Sequence, residues 1–225
     1  MKVGMLIIAT NKYTEFIPNL IESADKYLLP NHEVTYFFFT NKDMVIETGR
    51  NFITNKIEHR DWPWMTLGRY SIFEQHSNQL KDMDYLFYCD ADMLFVDTVG
   101  DEILSDRVAT QHAGYYGRRG APETNPLSTA YVGTNEEMQY FAGGFNGGSS
   151  ESYLKMSSTI AENTKKDYEN GIIAVWHDES HLNRYLIDNP PSMILDPSYC
   201  CYENWVDCPF GKRLLALVKK HEEYR

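Results

Sequence analysis

Apolar residues along this chain collect into short unbroken runs set apart by polar, proline- or glycine-bearing breaks, the pattern of strands buried on both faces alternating with amphipathic helices. Residues 3–9 form the first run, and Thr10-Asn11-Lys12-Tyr13 reads as a loop at its carboxyl end. Phe16, Ile17, Leu20, Ile21, Ala24, Tyr27 and Leu28 then recur at helical spacing until Pro30-Asn31 stops them. Residues 33–40, rich in aromatic and β-branched side chains, predict a second strand. A strand, helix and strand of this length predict a right-handed parallel unit. A third short strand is expected over 51–58 and a second helix over 66–80, through Leu67, Tyr70, Ile72, Phe73 and Leu80.

The run Tyr85-Leu86-Phe87-Tyr88-Cys89 ends abruptly in Asp90-Ala91-Asp92. Two carboxylates without counterions are costly to bury, so the pair belongs at the exposed carboxyl end of a strand. In open α/β sheets ligands bind at that edge. Paired acidic oxygens there suit a hard divalent cation, which in turn can hold a diphosphate. The plain reading, a solvated D-x-D turn, is set aside only because of what surrounds it.

Beyond Asp97 the alternation decays. Residues 108–127, with Arg118-Arg119 and two prolines, read as an irregular segment over a site. Tyr140-Phe141-Ala142-Gly143-Gly144-Phe145-Asn146-Gly147-Gly148 reads as a glycine-rich loop that lets a ligand approach backbone, or equally as a flexible hairpin loop. A helix is expected over 151–163. Residues 172–180 read as a second hydrophobic strand ending in Asp178 and Glu179, with a helix following to Leu186 and closed by Asp188-Asn189-Pro190-Pro191. Carboxylates at a helix start are favoured by its dipole, whether they serve a site or only cap the helix. The tail, 212–225, is basic and amphipathic. No repeat or linker divides the chain, so one domain is expected.

Composition narrows the function. The 225 residues carry a formal net charge of -11, which argues against nucleic acid as a partner, because counterion release needs a basic surface. An anionic substrate must then be held locally, by a metal or a few placed cations. Cys89 reads as a core thiol. Cys200, Cys201 and Cys208 lack zinc-ribbon spacing, so a reduced, cytoplasmic protein is expected. The first apolar run is too short for a signal peptide or membrane span, and no transmembrane anchor is expected.

Three stretches form a set: residues 87–92, residues 140–148, and Trp176-His177-Asp178-Glu179-Ser180-His181-Leu182-Asn183-Arg184-Tyr185. Together they resemble glycosyltransferase family six, which includes the histo-blood-group A and B transferases and the α-1,3-galactosyltransferase. The likeness runs from Ile8 to about Val218, with support from residues 112–116, 128–131 and 188–191. It implies a GT-A fold of the α/β class, a Rossmann-like central mixed β-sheet flanked by helices. Residues 1–97 would be mainly its nucleotide half, 98–211 its acceptor and donor-sugar half, and 212–225 a basic tail. The implied reaction transfers N-acetylgalactosamine or galactose from UDP, with retention, in α-1,3 linkage to a galactoside acceptor, with or without fucose.

By the same resemblance, Asp90 and Asp92 bind Mn²⁺, with Mg²⁺ the alternative, and through it the diphosphate. Tyr13 stacks on uracil, with Ile8 and Thr10 at neighbouring pocket positions and Ala91 between the metal ligands. Arg69 touches the donor sugar, and Asp178 contacts it. Glu179 is the nucleophile or the oxocarbenium stabiliser, and also lies on the acceptor side with His112 and Trp176. Ala142 and Gly144, with Gly143 between them, sort galactose from N-acetylgalactosamine; their small size predicts UDP-N-acetylgalactosamine as donor.

The chain departs from the family at Glu123-Thr124-Asn125-Pro126, where relatives carry Tyr-Glu-Arg-Arg, which leaves acceptor choice open. The tail is abbreviated, with Lys219, Lys220 and Arg225 as its candidate phosphate cations. Two other readings were weighed. A dehalogenase-type phosphatase places D-x-D after its first strand, with Thr or Val where Leu94 stands here. A non-catalytic sugar-binding module would need neither UDP nor Glu179.

Overall fold

The computed structural model describes residues 1–224, so Arg225 lies outside the described residues. In chain order the elements are β1 (Lys2–Ile8), α1 (Ile17–Tyr27), β2 (Glu33–Thr40), β3 (Asn51–Lys56), α2 (Trp64–Leu67), α3 (Arg69–Gln75), α4 (Ser77–Leu80), β4 (Tyr85–Cys89) and β5 (Met93–Phe95). They continue with β6 (Arg107–Gln111), β7 (Phe141–Ser149), α5 (Ser150–Glu169), α6 (Asp178–Asp188), β8 (Met193–Leu195), β9 (Cys201–Tyr202), β10 (Leu214–Ala216) and α7 (His221–Tyr224). None of the described helices is long and apolar enough to cross a membrane.

The main sheet has the order β3-β2-β1-β4-β7-β6-β8, and a small second sheet has the order β5-β10-β9. In the main sheet β7 alone runs against its neighbours, antiparallel to β4 on one side and β6 on the other. This is a mixed α/β sheet flanked by helices, as expected of a GT-A-like fold. Side chains of β1 alternate between two apolar layers. Val3, Met5 and Ile7 pack against α1 residues such as Leu20 and Ala24, whereas Leu6 packs with Phe73 of α3 and Ile160 of α5. Burial on both faces is why β1, β2 and β4 appear as continuous apolar runs.

Three expectations are corrected. The glycine-rich stretch is no loop: it is β7, at the middle of the sheet and buried almost throughout. Its glycines admit neighbours rather than motion, for a Cβ on Gly147 would lie 2.2 Å from a ring carbon of Phe87 and 2.5 Å from the Leu86 carbonyl oxygen. Residues 172–177 form no strand. Ile173, Val175 and Trp176 are 46%, 51% and 47% exposed, and the chain turns there directly into α6. The acids at 178 and 179 therefore open a helix instead of closing a strand. The single helix expected over 66–80 is three short ones, broken at Gly68 and His76. The expected helix over 151–163 exists and runs on to Glu169.

Strand direction positions the site. The carboxyl ends of β1, β4 and β6 reach the same edge of the sheet as the amino end of the reversed β7. Ile8, Asp90, His112 and Gly144 are thereby brought to one edge.

Candidate active site

At this edge opens a cavity of about 440 Å³. Asp90, Ala91 and Asp92 lie along it where β4 ends, and Ile8, Thr10 and Tyr13 line it where β1 ends. Arg69, from the first turn of α3, closes the back, and Lys219 and Tyr224 reach in from the tail. Seven of the expected donor residues thus share one cavity.

Arg69 ties the parts together and is 6% exposed. Nη1 donates to the Gly143 carbonyl at 2.8 Å, and Nη2 donates to Asp90 Oδ1 at 3.0 Å. Nη1 also stands 3.0 Å from Asp178 Oδ2, an ion pair without the alignment of a hydrogen bond. The guanidinium sits 3.8 Å over the Tyr88 ring, whose hydroxyl donates to Asp90 Oδ1 at 2.5 Å. Burial opposes the charge on Arg69, but Asp178, Tyr88 and Asp90 outweigh it and hold the guanidinium protonated.

Glu179 faces the strand rather than open solvent. The Gly143 amide donates to its Oε2 at 2.8 Å. A Cβ added at Gly143 would lie 3.5 Å from Glu179 Oε2, and one added at Gly144 would lie 3.1 Å from Asp90 Oδ2. One dipeptide therefore lies between the two acidic groups, of which only Asp90 lines the cavity. Burial pushes the Glu179 carboxyl up to about 7, against the Gly143 hydrogen bond. The Tyr140 hydroxyl also favours its charged form, though no hydrogen bond of normal geometry joins them. Asp178 is raised to about 6 by burial, with Arg69 resisting. Ala142 is buried beside Thr110 of β6 and, like Gly143, Gly144, Asp178 and Glu179, does not line the cavity.

The donor set fits a hard divalent cation. Asp90 and Asp92 present carboxylate oxygens to the cavity, and burial together with the charge of Asp90 raises Asp92 above the usual carboxylate range. Arg69 on Asp90 and Lys219 on Asp92 supply positive charge where a bound cation would. Among the described residues no group of three or more His, Cys, Asp or Glu forms a closed metal cage. Two carboxylates with the remaining positions left to water or phosphate is the arrangement Mg²⁺-like ions use. In this structure the Lys219 ammonium pairs with Asp92 and lies 5.2 Å over the Tyr13 ring. The same tail is pinned by the Leu217 amide, which donates to the Asp92 carbonyl at 2.9 Å. Tyr224 packs edge-on against Tyr13 with centroids 5.5 Å apart. Lys220 instead pairs with Glu223 at the surface.

On the other flank of Glu179, His112 lies among aromatic rings, 4.9 Å from Tyr115, 5.7 Å from Tyr140 and 6.3 Å from Tyr202. Burial lowers the His112 imidazole below its ordinary value, and its Nδ1 accepts the Gly114 amide at 3.1 Å. Trp176 is half exposed, and its carbonyl accepts the Glu179 amide at 3.0 Å. Sequence reasoning missed three neighbours. Tyr140 and Tyr202 both feel the charge of Glu179. Cys200 places Sγ 3.3 Å from a Cβ built on Gly144. Tyr140 opens the glycine-rich stretch itself, whereas Cys200 and Tyr202 arrive from a distant segment and carry no local signal.

The sequence model of glycosyltransferase family 6 matches residues 1–225. Histo-blood group ABO system transferase 1 of Rattus norvegicus is 32% identical over 237 residues, covering 99% of this chain and 68% of the relative. Globoside alpha-1,3-N-acetylgalactosaminyltransferase 1 of Homo sapiens is 33% identical over 210 residues, covering 88% of this chain and 60% of the relative. The O-antigen biosynthesis glycosyltransferase WbnI of Escherichia coli is 28% identical over 200 residues, covering 86% of each.

Proposed function

Since the chain belongs to glycosyltransferase family 6, we propose that it transfers N-acetylgalactosamine, or less readily galactose, from UDP in α-1,3 linkage to a β-galactoside, with retention and with a divalent cation at Asp90 and Asp92. The observation that carries this reading is the Arg69 bridge, which joins the Asp90 carboxylate at the end of β4 to the Asp178 carboxylate that opens α6, next to Glu179. A UDP-sugar needs both ends at once. Its diphosphate requires positive charge, and its anomeric carbon requires an ionised carboxylate.

Each side chain then has a task. Asp90 and Asp92 hold the cation, which when bound neutralises charge on departing UDP as a Lewis acid. Tyr13, Ile8 and Thr10 form the wall against which the uracil packs. With a cation held at Asp90 and Asp92, the Lys219 ammonium, which pairs here with Asp92, would be free to meet the diphosphate. Arg69 fixes Asp90 and Asp178 in register and offers a cation beside the donor sugar. Glu179, oriented by the Gly143 amide, stands by the anomeric carbon. It attacks to form a glycosyl-enzyme, or stabilises an oxocarbenium attacked from the front; both require the carboxylate. His112, Tyr140, Tyr202 and Trp176 form the acceptor side, since aromatic faces suit sugar rings.

Two features support N-acetylgalactosamine. Gly144 places no side chain beside Asp90 Oδ2, which a Cβ there would approach to 3.1 Å, and the human globoside relative is named an N-acetylgalactosaminyltransferase. The deciding experiment measures transfer from UDP-N-acetylgalactosamine and UDP-galactose to a β-galactoside, with and without Mn²⁺, and reads the anomeric coupling of the product. Glu179→Ala separates catalysis from sugar binding alone: a binding module keeps its carbohydrate affinity and has no turnover to lose.

A further inference from the structure

Away from the donor cavity, three buried titratable side chains that none of the steps above uses meet beneath the turn carrying Trp176. Glu123, Asp167 and His181 are 6%, 2% and 2% exposed. Glu123 divides its carboxylate between two segments. Oε1 accepts the Asn125 amide and Oε2 accepts the Val175 amide, each at 2.7 Å. Asp167, near the end of α5, accepts the Ser128 hydroxyl at 2.5 Å and the Thr129 amide at 2.8 Å. Its own carbonyl accepts the Ile172 amide at 2.9 Å. His181, two residues beyond Glu179, stands with Nε2 3.8 Å from Asp167 Oδ2, and neither ring nitrogen has a hydrogen-bond partner. Burial keeps the ring neutral, while Asp167 and Glu123 are the charges that act on it.

The segments concerned have few other holds. Residues 172–175 belong to no sheet, and Ile173, Val175 and Trp176 are each about half exposed, so apart from the buried Ala174 apolar burial fixes them weakly. What fixes Val175 is its amide on Glu123. One residue on, the Trp176 amide donates to Ser180 Oγ at 3.0 Å, which carries the placement into α6. Glu123 stands in the stretch that departs from the family pattern, and it is a buried anchor there rather than a surface contact. Buried carboxylates are tolerated when donors surround them, and each of these has two on its side chain. An imidazole with both nitrogens unpaired is itself costly, so an apolar side chain would serve better if filling space were its only task.

We infer that Glu123, with Asp167 and His181, is a positioning cluster for the acceptor side of the site, setting the place of residues 172–177 and of Trp176 without reaching the donor cavity. The inference rests on the transferase reading and deepens its acceptor half. Glu123 touches no substrate; it acts through Val175.

The test compares Glu123→Ala and Glu123→Gln in the full chain. In Glu123→Ala the KM for a β-galactoside rises about tenfold, the effect of one lost hydrogen bond to a charged group, and Glu123→Gln loses less. Hydrolysis of UDP-N-acetylgalactosamine without acceptor stays within about twofold of the parent, because the donor cavity is untouched. Amide deuterium exchange quickens across residues 172–177 but not across 90–92. An unchanged acceptor KM in folded Glu123→Ala overturns the inference, as does donor hydrolysis that falls in step with transfer. Should Glu123→Ala fail to fold, Glu123→Gln carries the same comparison. A parent chain that neither transfers nor hydrolyses any UDP-sugar defeats the transferase reading instead; the exchange comparison needs no activity and still decides whether Glu123 holds residues 172–177.

Discussion

The Gly143 amide donates to Glu179 Oε2 across 2.8 Å, so the strand carrying the small donor-side residues also aims the carboxylate. Removing the charge while keeping that contact separates two effects of Glu179. Glu179→Gln should lower turnover by about 10³-fold or more, since an oriented carboxylate at the reacting carbon is lost. The same change should stabilise the fold in mild alkali. The folded carboxyl titrates near 7, above its ordinary value, so its stabilising contribution is complete below about pH 4 and lost as pH rises through 7. The ionised group then costs on the order of 3 kcal/mol. Thermal unfolding should place the variant several degrees above the parent at pH 8 and level with it near pH 4; a variant less stable at both pH values contradicts this account.

The rate of transfer should depend on pH in the matching direction. In the role proposed for it Glu179 must be ionised, so kcat/KM should fall as pH drops through about 7, and the raised Asp178 should make the decline continue toward 6. The two neighbours titrate as a pair, and the profile reports the pair. A rate that is flat from pH 5.5 to 8 would mean that Glu179 is not the group in use.

On the proposed reading, Gly144 is the narrow point for the donor sugar. A Cβ there lies 3.1 Å from Asp90 Oδ2 and 3.3 Å from Cys200 Sγ, tight but short of a clash with backbone. Gly144→Ala should therefore fold and should shift the ratio of N-acetylgalactosamine to galactose transfer toward galactose, by about tenfold for a methyl-sized change. Competing donors in one reaction measure the ratio directly. An unchanged ratio removes Gly144 from donor choice.

The tail offers a prediction with two signs. Lys219 pairs with Asp92, and it lies beside Tyr13. Ending the chain after Leu217 should weaken UDP-sugar binding about tenfold, through loss of a cation for the diphosphate and of the ring contact from Tyr224. It should also strengthen the binding of Mn²⁺ alone, because the ammonium no longer competes for Asp92. Calorimetry with each ligand separates the two. Unchanged donor affinity would exclude the tail from the site.

Much of this architecture is legible in the sequence because β1, β2 and β4 are buried on both faces and so appear as unbroken apolar runs. Asp90 and Asp92 are legible for the converse reason, as acids placed where such a run must meet solvent. Residues 172–177 mislead because their apolar side chains look like a strand, yet their backbone is taken up by Glu123 and by turns instead of a ladder. The run at 140–148 misleads in the other direction. Its glycines look like a loop, but Phe87 and the neighbouring backbone fill the space that side chains would occupy. Lys219 meets Asp92 across 127 positions of chain, and no local pattern reports such a contact.

The reversal of β7 has a consequence for how this scaffold changes over generations. Its far end is wedged against Phe87, whereas its ladder with β6 shifts register between Ala109 and Thr110, which leaves positions 143–145 out of that pairing. On the proposed reading, a lineage built on this scaffold retunes which sugar it dispenses at that rim, by adding or subtracting a methyl group or two. Neighbouring specificities would then lie single substitutions apart, while the machinery behind them stays still.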